Sequence, residues 1–176
     1  MAVFWEKGYE ATSLSDLMAA TTLSKSSIYG SFGDKRELFL AAFDVYRQDR
    51  KRDMIHLLSA KPARGGIISF YESLFANLDS EINHNGCMSV NQAVEMAPRD
   101  LRVKDMVAED FNTIHEALTI AIQRGQGDGS VSNLNDARDI ASIFVLAFPG
   151  LQLMARIGTC AEAMSNYLSL LMKHLD

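Results

Sequence analysis

Lys25, Ser26, Ser27 and Ser31, with Gly30 among them, put small polar donors along one side of a very short segment. Such groups do no covalent chemistry without a base beside them. They do hydrogen-bond base edges and phosphate oxygens. Thr12 and Ser13, at the start of the preceding segment, add hydroxyls, free backbone N–H groups and the positive end of a helix dipole, a natural phosphate site. Nothing else in the chain offers comparable chemistry. His56, His84, His115 and His174 have no metal-ligand spacing, and Cys87 and Cys160 give neither a disulfide framework nor a zinc pattern. No nucleophile–base pair or carboxylate pair stands out. The expectation is recognition, with no catalytic residue, metal or cofactor.

The elements that must position these donors follow from local signals. Ser13 and Asp16 have capping-box spacing, and Leu14, Leu17 and Met18 continue as an apolar stripe at i, i+3 and i+4. Thr21-Thr22, two β-branched residues in a row, end that helix. Ser24 is the next N-cap, with Leu23 before it as a staple. From there to Phe32 only Ile28 and Phe32 share an apolar face, so Lys25, Ser26, Ser27, Gly30 and Ser31 face outward. Gly33 stops this helix, and Asp34 with Glu37 caps a third. Two very short helices and a tight turn, over about residues 13–32, read as a helix-turn-helix whose second member enters a major groove about 12 Å wide.

At this point the chain resembles the tetracycline-repressor (TetR) family of bacterial transcription regulators. The residues that carry the resemblance are Phe4, Gly8-Tyr9, Thr12-Ser13, Leu17, the run Ser24 to Tyr29, Phe32, Lys35 and Leu38-Phe39. They cover roughly the first quarter of the chain. The run Gly86-Cys87-Met88 through Asn91 to Glu95 is also similar to a segment of some members. The resemblance implies that Tyr29 and Lys35 clamp the phosphate backbone. It also implies a dimer closed by the last two helices, and hence double-stranded DNA carrying an inverted-repeat operator. Members usually start with a basic arm and an earlier first helix. Met1 to Lys7 make only about two turns at 1.5 Å per residue, so the start of the first helix is expected to be missing.

The charge distribution fits a DNA-binding first part. The chain is acidic overall, at −5, yet residues 1–52 carry eight Lys+Arg against seven Asp+Glu and residues 53–176 carry nine against fifteen. Phosphate contacts are local, so a near-neutral first part with Lys25 and Lys35 on one face suffices. The run from Arg47 to Arg52, interleaved with Asp49, reads as a solvated helix face. No secretory pattern opens the chain, and the expected compartment is cytoplasmic. The apolar run from Ile140 to Ile157 approaches membrane-spanning length but contains Pro149-Gly150, Gln152 and Arg156, so a buried helix is expected and no membrane partner.

No strand pattern persists, and the predicted class is all-α. Residues 1–52 form the DNA-binding domain and residues 53–176 a helical ligand-binding and dimerisation domain. Helices are predicted from Asp34 towards Leu58, Ile67 to Ile82, Met88 to Met96, Asp100 to Arg124 and Asn135 to Ile157, with one more at the C-terminus. Gly125 to Ser130 reads as a flexible connector, since it lacks the Lys-Ser/Thr of a phosphate loop. Met164, Leu168, Leu171 and Leu175 form an a/d-type stripe, which an intrachain core would also produce; the resemblance favours a dimer interface. Phe70, Leu74, Phe111, His115, Leu118 and Phe144 are the candidates for a ligand cavity suited to a small, mainly apolar compound, with His115 as its hydrogen-bonding group or a satisfied core histidine. Cys87 reads as a small buried residue or a redox or electrophile sensor.

The function expected is a ligand-responsive DNA-binding regulator, a repressor released from its operator by a small molecule. The alternative is a helical small-molecule sensor without DNA function.

Overall fold

The computed structural model describes residues 1–76 and 85–176. Its helices are α1 Ala2–Lys7, α2 Leu14–Thr21, α3 Lys25–Phe32, α4 Lys35–Leu58, α5 Ala63–Ser73, α6 Met88–Glu95, α7 Leu101–Asp128, α8 Ala137–Arg156 and α9 Ala161–Met172, with a turn of 3-10 helix at Lys173–Leu175. No strand occurs among the described residues. Two compact units form, and they are not two consecutive stretches. One comprises Met1–Arg50 with Cys87–Val107, the other Lys51–Gly86 with Ala108–Asp176. The segment 87–107, which composition alone assigns to a domain spanning 53–176, packs with the N-terminal helices.

In the first unit α2, α3 and α4 are each started by local side chains. Ser13 accepts the Asp16 N–H while the Asp16 carboxylate accepts the Ser13 N–H, a complete capping box. Ser24 accepts the Ser27 N–H at the head of α3, and Asp34 accepts the Glu37 N–H at 2.8 Å as α4 begins. The inward faces bury Phe4, Leu17, Ile28, Phe39, Leu40, Phe43 and Tyr46. Phe4 meets Phe39 edge-on at 5.3 Å, and Phe39 stacks on Phe43 at 5.7 Å.

The second unit wraps α5, α7 from Ala108 onwards, α8 and α9 around an aromatic and aliphatic centre. Phe70 stacks on Phe148 at 6.1 Å, Tyr71 meets Phe144 edge-on at 5.5 Å, and the Tyr71 hydroxyl donates to the Phe144 carbonyl at 2.7 Å. That bond satisfies a phenol that is otherwise wholly buried.

Four expectations need correction here. α5 begins at Ala63 and ends at Ser73, short of the expected Ile82; Leu78, Ile82 and His84 lie outside the described residues. α7 continues through Gly125, Gln126 and Gly127 to Asp128, where a flexible connector was expected. Tertiary bonds hold that last turn: Asp128 accepts the Ala63 N–H at 3.2 Å, and the Gln126 amide donates to the Asn133 and Asn135 carbonyls at 2.9 Å each. α8 is capped by Asp136 rather than Asn135. Finally, Met164, Leu168, Leu171 and Leu175 are all buried within the chain itself, at 8% exposure or less, which leaves little surface for a partner. Their stripe is the intrachain seam of α9. The outward apolar residues of this region are Ile143, Leu146 and Leu153 on α8, Ile157 just past its end, and Tyr167 and Leu170 on α9, with Leu146 82% exposed.

α8 is long and apolar enough to cross a membrane by length and composition. One of its faces, including Ile140, Phe144, Phe148 and Leu151, is buried in the second unit.

Candidate nucleic-acid interface

The short helix α3 carries the candidate site. Eight residues at 1.5 Å each make a rod about 12 Å long. Ile28 is its single fully buried side chain and anchors it to the unit. Lys25, Ser26, Ser27, Gly30 and Ser31 are all exposed, as the spacing predicts. A Cβ on Gly30 would meet nothing within 4 Å, so backbone is bare on the outer face. At the head of the helix the Ser24 hydroxyl lies 2.9 Å from both the Ser26 and the Ser27 hydroxyls, three rotatable donors in one cluster. The Lys25 ammonium sits 5.8 Å from the centre of the half-buried Tyr29 ring. The turn between α2 and α3 uses Thr22 in the left-handed region, at φ 56°.

The flanking residues divide. Thr12 is buried, at 1% exposure, and its hydroxyl donates to the Gly8 carbonyl. It is a structural tie of the α1–α2 turn and not a free phosphate donor, which corrects the sequence-based expectation. Ser13 is exposed, but its hydroxyl donates to the Asp16 carboxylate at 2.7 Å and its N–H donates to the same group at 2.9 Å. The Lys7 ammonium holds the other Asp16 oxygen at 2.6 Å, and that pairing, with the Ser13 bonds, keeps the Asp16 carboxyl well below the usual carboxylate range. Lys35 is half-buried: its ammonium lies 4.5 Å from the centre of the Tyr9 ring and donates to the Glu10 carbonyl at 3.4 Å.

Sequence reasoning missed the residues that hold this head in place. Glu95, the last residue of α6, accepts the Glu10 N–H at 2.9 Å. Arg36 pairs with Asp100, and Arg102 reaches Glu37 at 3.3 Å. No spacing signal links residues so far apart, although Asp100 is legible as a helix start.

Residues 1–42 match the family model for bacterial regulatory proteins of the tetR family, and residues 66–171 match that for the tetracyclin repressor-like C-terminal domain. The chain belongs to the TetR family. It is a DNA-binding transcriptional regulator, in keeping with the curated regulators it is similar to. An uncharacterized HTH-type transcriptional regulator of Bacillus subtilis (strain 168), YezE, is 29% identical over 132 residues, 74% of this chain and 68% of that protein. The HTH-type transcriptional repressor ComR of Escherichia coli (strain K12) is 24% identical over 164 residues, covering 92% of this chain and 78% of its own. Among solved structures, a cysteine mutant of the TetR family regulator CifR, complexed with 26 bp double-strand operator DNA, superposes with a TM-score of 0.84 at 26% identity, over 97% of this chain and 90% of that one. In this TetR regulator α2 and α3 are therefore the helix-turn-helix.

The expected ligand-site residues lie in the second unit. Phe70, Leu118 and Phe144 are buried, and Leu74 and Phe111 are partly exposed. Phe111 meets Phe148 edge-on at 6.4 Å, so it joins the ring cluster. His115 turns its Nε2 to the Arg138 carbonyl and the Ser142 hydroxyl, 3.1 Å from each. It also lines an open groove of about 260 Å³ with Glu116, Thr119, Ile120, Gln123 and Arg138.

Proposed function

We propose that this regulator is a dimeric repressor that holds an inverted-repeat operator and releases it when a small, mainly apolar compound enters the second unit. One observation carries the DNA side: α3 is anchored by Ile28 alone and turns Lys25, Ser26, Ser27, Gly30 and Ser31 outward together. Those residues read base edges in the major groove, with Lys25 at the helix start where the edges are nearest. Ser13, Tyr29 and Lys35 serve the phosphates. The CifR complex with operator DNA supports this reading.

The dimer seam in this reading is the outward face of α8 and α9. Ile143, Leu146, Gly150, Leu153 and Ile157 recur at alternating spacings of three and four, and Tyr167 and Leu170 extend the patch. A second copy of the chain covers it. The ring cluster around Phe70, Phe111 and Phe144 supports an aromatic or aliphatic ligand. The compartment is the cytoplasm, where operator DNA is.

Binding-site selection from a random duplex pool tests the proposal. The wild-type protein should enrich an inverted repeat with half-sites about 34–36 Å apart. Ser27→Leu should lose that preference while its circular dichroism stays unchanged. Wild-type sequence preference in the Ser27→Leu variant would overturn the assigned orientation of α3.

A further inference from the structure

Glu10, in the turn between α1 and α2, is held from two sides. Its N–H donates to Glu95 Oε1 at 2.9 Å, and its carbonyl accepts the Lys35 ammonium at 3.4 Å. The other Glu95 oxygen accepts Gln92 Nε2 at 3.1 Å. The turn is shaped for this grip. Gly8 sits at φ +82°, and a Cβ there would stand 2.8 Å from Glu95 Oε2 and 2.9 Å from Oε1. Thr12 ties the turn shut through its bond to the Gly8 carbonyl. Gln92 is buried, and its Oε1 has no hydrogen-bond partner among the described residues.

We propose that Glu95 is a positioning residue for DNA binding: by gripping the Glu10 amide it places the carbonyl that steadies the Lys35 ammonium. This rests on the reading of the first unit as the DNA-binding head with Lys35 at a phosphate. The effect is entropic. A lysine ammonium rides on a flexible four-carbon stem, and ordering it on binding costs affinity unless the free protein has already restricted it. A carboxylate accepting a backbone N–H is a charge-assisted bond, strong enough to fix the turn that does the restricting. Glu95 itself touches no DNA in this account. It acts through Glu10 and Lys35.

The test measures fluorescence anisotropy on the duplex that the wild-type protein enriches by selection, across a salt series. Wild type, Glu95→Ala, Glu95→Gln, Glu95→Asp, Lys35→Ala and the double variant Glu95→Ala with Lys35→Ala are compared, each checked by thermal melting. Glu95→Ala should bind about three- to tenfold more weakly. Its salt slope should flatten towards that of Lys35→Ala, a change of roughly one unit when a phosphate contact is lost completely. The double variant should bind no worse than Lys35→Ala alone, since both changes remove one interaction. Glu95→Gln keeps an acceptor for the Glu10 N–H, and a turn of the Gln92 amide brings its Oε1 round to accept the new NH2 in place of the Nε2 contact, so this variant should recover most of the affinity. Should Glu95→Ala fail to fold, Glu95→Asp, one methylene too short for the grip, must show the weaker binding and flatter slope. Losses that add in the double variant with an unchanged slope for Glu95→Ala, or a Gln variant as weak as the Ala variant, overturn the inference alone. A wild-type protein that enriches no duplex overturns the DNA-binding reading itself.

Discussion

The Arg36 guanidinium holds the Asp100 carboxylate with two hydrogen bonds, Nε to Oδ2 at 2.6 Å and Nη2 to Oδ1 at 3.1 Å. The same Asp100 Oδ1 accepts the Arg102 and Val103 N–H groups at the head of α7. One carboxylate thus caps α7 and ties it to the first turn of α4.

Acid should loosen that tie. The Arg36 side chain, helped by the two backbone N–H donors, holds the Asp100 carboxyl below its ordinary value. Its contribution to stability is therefore present above the unfolded carboxylate pKa, about 3.9, and is lost as pH falls through the lower folded value. Thermal melts between about pH 2 and pH 6 should show Asp100→Asn losing less stability on acidification than wild type. Asp100→Ala should also cost about 1 kcal/mol at neutral pH through loss of the cap. Identical acid dependence in wild type and Asp100→Asn would show that the Arg36–Asp100 pair does not set the acid response.

Two glycines three positions from the end of α7 or closer should respond with opposite sign. A Cβ on Gly125 would lie 2.4 Å from Cγ2 of the buried Val131, whose backbone N–H donates to the Gly125 carbonyl at 3.0 Å. Gly125→Ala should destabilise by about 1–3 kcal/mol through overpacking. Gly127 meets nothing within 4 Å and lies in the helix, so Gly127→Ala should stabilise by about 0.5–1 kcal/mol. Urea titrations of the two variants read both signs directly.

Assembly should depend on the outward face of α8 and not on the α9 stripe. Leu146→Glu with Leu153→Glu places two carboxylates on exposed positions and should give a folded monomer by sedimentation. Leu168→Glu with Leu171→Glu buries them, at several kcal/mol each, and should unfold the second unit. A folded dimer from the first pair would move the seam elsewhere.

Base reading and phosphate holding should separate in binding-site selection. Lys25→Ala should relax discrimination at one position of each half-site, by about 1–3 kcal/mol. Tyr29→Phe should weaken all sequences alike. A sequence-dependent loss for Tyr29→Phe would place its hydroxyl at a base edge.

Ligand response should follow the ring cluster. Phe111 is partly exposed and touches Phe148, so Phe111→Ala opens the cluster without removing a fully buried ring. A thermal-shift screen against hydrophobic metabolites should find compounds whose effect is lost in Phe111→Ala while operator affinity is retained. Hits confined to small anions, unaffected by this change, would contradict an apolar site.

By itself the sequence determined the helix-turn-helix. Each of its signals acts within three or four residues: Ser13 on Asp16, Ser24 on Ser27, Asp34 on Glu37, and the single anchor Ile28 that turns the small donors of α3 outward. Only the tertiary structure decided what depends on distant neighbours. Thr12 is polar and sits where a phosphate donor would, yet the fold buries it on the Gly8 carbonyl. Gly125 and Gly127 are poor helix formers, yet bonds from Asp128 and Gln126 to remote backbone keep their turn helical. α9 has an apolar stripe and α8 has apolar residues on two sides. Periodicity shows that such faces exist, but which one is buried depends on where the neighbouring helices pack, and that information is spread over the whole chain.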